Sequence, residues 1–147
     1  MNRYLKTLTL MLAILLLGSL SAAAVERPFS LTGAGTLVNG ALNASGRATH
    51  LGLFTEVGQL SFVPDPDNPT LILVTGDATF TAANGDVLEG VIEGAVLDVT
   101  TGIGNGVFAF VGGTGRFEGA TGTVDFVVEQ NLVTGAFEIN GVGTLNY

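Results

Sequence analysis

Apolar and polar side chains alternate with a period of two along most of this chain beyond residue 24, and nothing else constrains its fold as tightly. Between Leu71 and Ala82, Ile72, Val74, Ala78 and Phe80 are apolar, whereas Thr75, Asp77, Thr79 and Thr81 are polar. Ala120 to Glu129 repeats the pattern, with Ala120, Val124, Phe126 and Val128 set against Thr121, Thr123, Asp125 and Glu129. Phe137, Ile139 and Leu145 likewise share a parity against Glu138, Asn140 and Thr144. Successive side chains of a strand point to opposite faces, so these are strands with one buried and one wet face. No segment there places apolar residues at i, i+3, i+4 and i+7 for three turns, which argues against a long helix.

Turn chemistry divides the strands. Ala83-Asn84-Gly85-Asp86 is a hairpin signal, because Asn-Gly readily takes the positive φ that tight hairpins require. Thr100-Thr101-Gly102 and Val133-Thr134-Gly135 are weaker versions of it. The run Pro64 to Pro69 holds three of the four prolines and cannot join a ladder, so it reads as an exposed loop. The predicted strands fall near 29–38, 46–54, 56–63, 71–82, 86–99, 103–111, 119–130 and 136–146, all joined by short links. Such an order is an up-and-down antiparallel meander.

The two ends of that meander look alike. Leu31-Thr32-Gly33-Ala34-Gly35-Thr36-Leu37 resembles Ile139-Asn140-Gly141-Val142-Gly143-Thr144-Leu145. Paired glycines at alternate positions remove side chains where strands approach closely, and closure of a sheet on itself removes its exposed edges. Gly90 and Gly94 would let another strand coil in the same way. The expectation is all-β: a small closed antiparallel up-and-down β-barrel of about eight strands.

The segment before residue 25 has another character. Arg3 and Lys6 precede a ten-residue apolar core, Leu8 to Leu17, and small residues lead to Ala22-Ala23-Ala24. This is the layout of an export signal cleaved near Ala24, and its apolar core is too short to span a bilayer. Residues 1–24 are thus read as a signal peptide and 25–147 as a single barrel domain, secreted or periplasmic. After cleavage Arg27, Arg47 and Arg116 face thirteen carboxylates, a net charge of −10. Three scattered arginines cannot supply the counterion release that drives nucleic-acid affinity, and an acidic surface disfavours anionic membranes. With no cysteine, packing and sheet hydrogen bonds must hold the fold.

One stretch is more specific than composition. Val111-Gly112-Gly113-Thr114-Gly115-Arg116-Phe117-Glu118-Gly119-Ala120-Thr121-Gly122-Thr123-Val124 resembles the G-G-T-G-x-F-x-G-x-x-G segment of the allene oxide cyclase and dirigent β-barrels. In physical terms Gly112, Gly113 and Gly115 permit a tight turn, Phe117 plugs a barrel end, and Gly119 and Gly122 open the next strand. The resemblance covers about fourteen residues and implies an eight-stranded barrel, often a homotrimer in that family. It brings no catalytic residue with it, because none of the family's catalytic positions can be placed on this chain.

Few residues here could do chemistry. His50 is the sole imidazole, so neither a Cys–His pair nor a multi-His metal site can be built within one chain, and neither metal nor cofactor is expected. By parity His50 lies with Ala48, Phe54, Leu60 and Phe62, which points it inward, although a bulge at Gly52 or Gly58 would reverse that. Arg47, His50 and Phe54 are therefore the candidate ligand-binding residues, at a barrel mouth. Glu89 and Glu93 lie about 13 Å apart along a strand at roughly 3.3 Å per residue, wider than retaining or inverting glycosidase pairs, and read as a solvated face.

The expected function is a structural barrel or a binder of a small hydrophobic ligand. A cyclase or isomerase of the allene oxide cyclase kind is the alternative, and a small outer-membrane barrel is the third reading, disfavoured by the missing aromatic girdles. An enzyme requires a polar group inside an open cavity, whereas a structural barrel should be filled.

Overall fold

The computed structural model describes residues 25–147, so the leader reading falls outside the described residues. The strands are β1 (Glu26–Val38), β2 (Ala41–Ala48), β3 (Gly52–Pro64), β4 (Leu71–Ala82), β5 (Val87–Asp98), β6 (Ile103–Gly113), β7 (Thr121–Gln130) and β8 (Ala136–Asn146). Each pairs antiparallel with the next, and β8 pairs with β1 to close the barrel. That closing ladder runs from Glu26 opposite Asn146 to Thr36 opposite Ala136. The closed meander expected from the sequence is the observed fold.

Glycine lets β8 approach β7 closely. A Cβ on Gly143 would meet the Thr123 carbonyl oxygen and lie 2.7 Å from Val124 Cα, both of them backbone atoms on β7. Register shifts fall between Glu89 and Gly90 and between Glu93 and Val96, so β5 bends at both glycines read as coiling points.

Strand β2 departs from expectation. It spans 41–48, not 46–54, because Asn39 and Gly40 both take positive φ (52° and 83°) and form a two-residue hairpin turn. The next reversal comes at 49–51, where His50 itself has φ 70°. A single β3 therefore replaces the predicted break near residue 55. The Asn84-Gly85 turn is a three-residue loop with Gly85 alone at positive φ (89°), closed by Ala82 N–H donating to the Asp86 carbonyl at 2.8 Å.

The two ends of the barrel differ. One gathers the start of β1, the β2–β3 and β4–β5 turns, the segment 114–120 and the C-terminus. Phe117 sits there in a single 3-10 turn (Gly115–Phe117) with 0 % of its surface exposed, in the same buried core as Leu51, Leu88 and Leu145. Of the motif glycines, Gly112, Gly115, Gly119 and Gly122 adopt positive φ, the backbone freedom this turn demands. Thr114 ties the plug to β5: its N–H donates to the Val87 carbonyl at 2.8 Å, and Val87 N–H donates to its Oγ1 at 3.0 Å. Above the plug, Phe29, Phe54, Phe80, Phe108 and Phe110 pack edge to face with centroid separations of 5.2 to 6.4 Å.

The opposite end gathers the β1–β2, β3–β4, β5–β6 and β7–β8 connections. Along the barrel wall, exposed Asp77, Glu93 and Asp125 stand outward at mid-strand while the interior is apolar. The outer wall is mixed, since Val57, Val107, Val127 and Val142 are exposed along it as well.

Candidate functional site

Strand β3 sends Phe54, Glu56, Gly58 and Leu60 to the inside, because they share one parity. Glu56 is the lone charged residue in the buried set among the described residues, with 4 % of its surface exposed. Ala44 of β2 and Phe80 of β4 lie directly beside it in the ladders, and neither offers a hydrogen bond. No side-chain hydrogen bond reaches Glu56 among the described residues, and burial alone pushes its carboxyl from 4.5 up to about 7. Near neutrality it is therefore poised between acid and carboxylate.

This carboxyl faces a cavity of about 80 Å³ in the barrel interior. Its walls are Leu31, Leu42, Leu60, Phe80, Phe108 and Phe126, and Phe137 and Ile139 extend them on β8. A water needs roughly 10–15 Å³ of such space, so the cavity has room for several waters or for one end of a small apolar molecule whose remainder extends through the mouth. It leads toward the end away from the Phe117 plug, past Leu37, Phe62, Leu97, Asn105 and Gln130, and Phe62 there is 37 % exposed.

The residues singled out from the sequence lie elsewhere and apart. His50 is in the β2–β3 turn at the plugged end, where its Nε2 is 3.0 Å from the Pro28 carbonyl and its ring meets Tyr147 edge to face at 5.6 Å. The inward orientation read from parity does not hold for it, because the turn at 49–51 takes it out of the ladder. Arg47 points outward from β2, beside a shallow polar depression that includes Ser30, Thr32 and Thr49. Phe54 does point inward, but it belongs to the phenylalanine layer, 5.4 Å from Phe80 between ring centroids. A mouth near His50 and Phe54 is thus corrected: Phe117, Leu51 and Leu145 fill that end, and the cavity leads to the other.

Sequence reasoning passed over Glu56 although the signal was present. It stands between Phe54 and Leu60 at the same parity, the one acid in an otherwise apolar series. A break near residue 55 divided that series into two strands and hid the anomaly. Glu89 and Glu93 are exposed on β5, as a solvated face requires.

No family model and no curated protein matches the chain. Among solved structures it is similar to a pterocarpan synthase dirigent protein, at 12% identity and a TM-score of 0.46, over 88% of this chain and 89% of that one. The barrel itself rests on the strand pairing, which closes β8 onto β1. The class that fold and site define is a closed eight-stranded antiparallel barrel, plugged at one end, with one carboxyl buried in an apolar cavity.

Proposed function

We propose that this protein is an exported barrel that binds one small, predominantly apolar molecule in its interior. The observation that carries the reading is Glu56: a carboxyl residue 4 % exposed, with no side-chain hydrogen bond among the described residues, is costly in a barrel that serves only as structure. A filled structural barrel would place an apolar side chain there. Apolar walls with few polar groups are the usual composition of a small-molecule site. Export rests on the leader, with its two cations, ten-residue apolar core and Ala22-Ala23-Ala24.

Titration of the processed protein with N-phenyl-1-naphthylamine, a neutral apolar fluorophore, tests this directly. Saturable uptake at one site per chain is expected. Native mass spectrometry of protein taken from its own extracytoplasmic compartment should show a retained small molecule on the processed chain. No saturable uptake, together with an apo mass, would overturn the proposal in favour of a structural barrel.

A cyclase or isomerase reading draws on the same carboxyl. A group with pKa about 7 in a dry pocket can donate or accept a proton near neutral pH. The readings separate on one point: a binder returns the supplied ligand unchanged, whereas an enzyme returns a rearranged isomer.

A further inference from the structure

We infer that the cavity selects an uncharged apolar molecule carrying a carbonyl oxygen, and that Glu56 holds this oxygen only while it carries its own proton. The inference rests on the reading that the barrel binds a ligand, and it adds the ligand's chemical class and a pH control.

The first argument is the inventory of the cavity wall. Glu56 is its one ionisable side chain; the other side chains there that can hydrogen-bond, Asn105 and Gln130, belong to the outer part. Around the carboxyl stand Ala44 from β2, Phe80 and Ala78 from β4, and Phe54 and Gly58 from β3 itself. Across the cavity are Leu31 from β1, Phe108 from β6 and Val124 from β7. None of these titrates, and none donates or accepts through its side chain. A protonated carboxyl in this setting offers one O–H donor and one carbonyl acceptor. A ligand carbonyl takes that donor and has nothing to give the ionised form, whereas a hydroxyl could donate to the carboxylate and would not depend on the proton.

Charged ligands fare worse. An ammonium group would require two ions in an apolar space with nothing to satisfy their remaining hydrogen-bonding capacity, the geometry in which desolvation outweighs attraction. A carboxylate or phosphate would have no cation to meet inside. It would also approach against the field of the barrel. Arg27, Arg47, His50 and Arg116 all lie toward the plugged end, whereas Asp65, Asp67, Asp98, Glu129 and Glu138 lie toward the mouth with no described cation among them. An acidic rim lowers the local concentration of anions.

The pH control follows from the same carboxyl. Burial raises its pKa to about 7. Above that pH the donor is lost and a charge appears where the ligand's own oxygen sits. If only the protonated form binds, affinity falls toward about ten-fold per pH unit above 7. Below pH 6 the site is fully competent.

The experiment uses the processed barrel and four probes of equal chain length, 2-octanone, octane, octanoate and octylamine, each displacing N-phenyl-1-naphthylamine from pH 5.5 to 8.5. At pH 5.5 to 6.5 octanone should bind about five- to ten-fold more tightly than octane, the scale of one neutral hydrogen bond. Octanoate and octylamine should bind more weakly than octanone at pH 5.5 to 6.5. The preference for octanone over octane should be lost between pH 6 and 8.5 in the wild type. Glu56→Gln, which keeps an N–H donor at every pH, should retain octanone binding and lose its pH dependence. Glu56→Leu should retain octane and lose the preference for octanone, which separates loss of recognition from loss of folding. Octanone affinity unchanged between pH 5.5 and 8.5, or a charged probe binding more tightly than octanone at pH 5.5 to 6.5, overturns this inference and leaves the binding reading intact. Failure of all four probes and the fluorophore at every pH overturns the binding reading, and the inference with it.

Discussion

Glu56→Gln should remove one specific component of the pH dependence of stability. In the unfolded chain this carboxyl titrates near 4.5; in the barrel, burial holds it at about 7. Below pH 4.5 both states are protonated and the residue adds no pH dependence. Between 4.5 and 7 the native state keeps a proton that the unfolded chain has released, so stability falls as pH rises. Above 7 the loss is complete, at about 3 kcal/mol for a shift of this size. That corresponds to roughly 10 °C in Tm for a domain of this length. The assay is urea unfolding of wild type and Glu56→Gln at half-unit steps from pH 4 to 8.5. The other twelve carboxylates beyond residue 24 titrate in both proteins, so the difference between the two curves isolates Glu56. Wild type should lose ground to Glu56→Gln steadily from pH 4.5 to 7, and then run parallel to it. A difference constant to within about 0.5 kcal/mol over the whole range, comparable to the extrapolation error, would refute the burial argument.

Three further outcomes follow from the packing. Gly143→Ala should destabilise the barrel by about 1–3 kcal/mol or more in urea unfolding, because its Cβ meets β7 backbone that cannot rotate away. Phe117→Ala should cost about 3–5 kcal/mol by opening the plug, and it should expose the Tyr147 ring, 5.3 Å from Phe117, to fluorescence quenchers. His50→Ala should leave uptake of N-phenyl-1-naphthylamine unchanged, since His50 is at the plugged end; loss of uptake would restore the mouth expected from the sequence.

Local rules carry much of this fold in plain view. Alternating parity, the Gly33/Gly35 and Gly141/Gly143 pairs and the coiling glycines at 90 and 94 all point to a closed meander, because strand period and glycine sterics act over a few residues. The second strand was misplaced even so. Asn39-Gly40 is as strong a turn signal as Asn84-Gly85, and reading it would have kept β3 whole.

The site was legible only in part. The sequence by itself determined that an acid stands at an inward parity, between Phe54 and Leu60. It also determined that a multi-histidine metal site cannot be built within one chain, which holds a single histidine. The tertiary structure alone decided which end is plugged, since Phe117 of the β6–β7 connection is buried in one core with Leu51 of the β2–β3 turn, Leu88 of β5 and Leu145 of β8. It alone decided that His50 leaves the ladder and that the cavity leads the other way. Parity is a property of one strand, read at a spacing of two residues. Whether a space is filled, and what a carboxyl finds across it, depends on side chains from strands far apart in the chain, which meet only when β8 closes on β1.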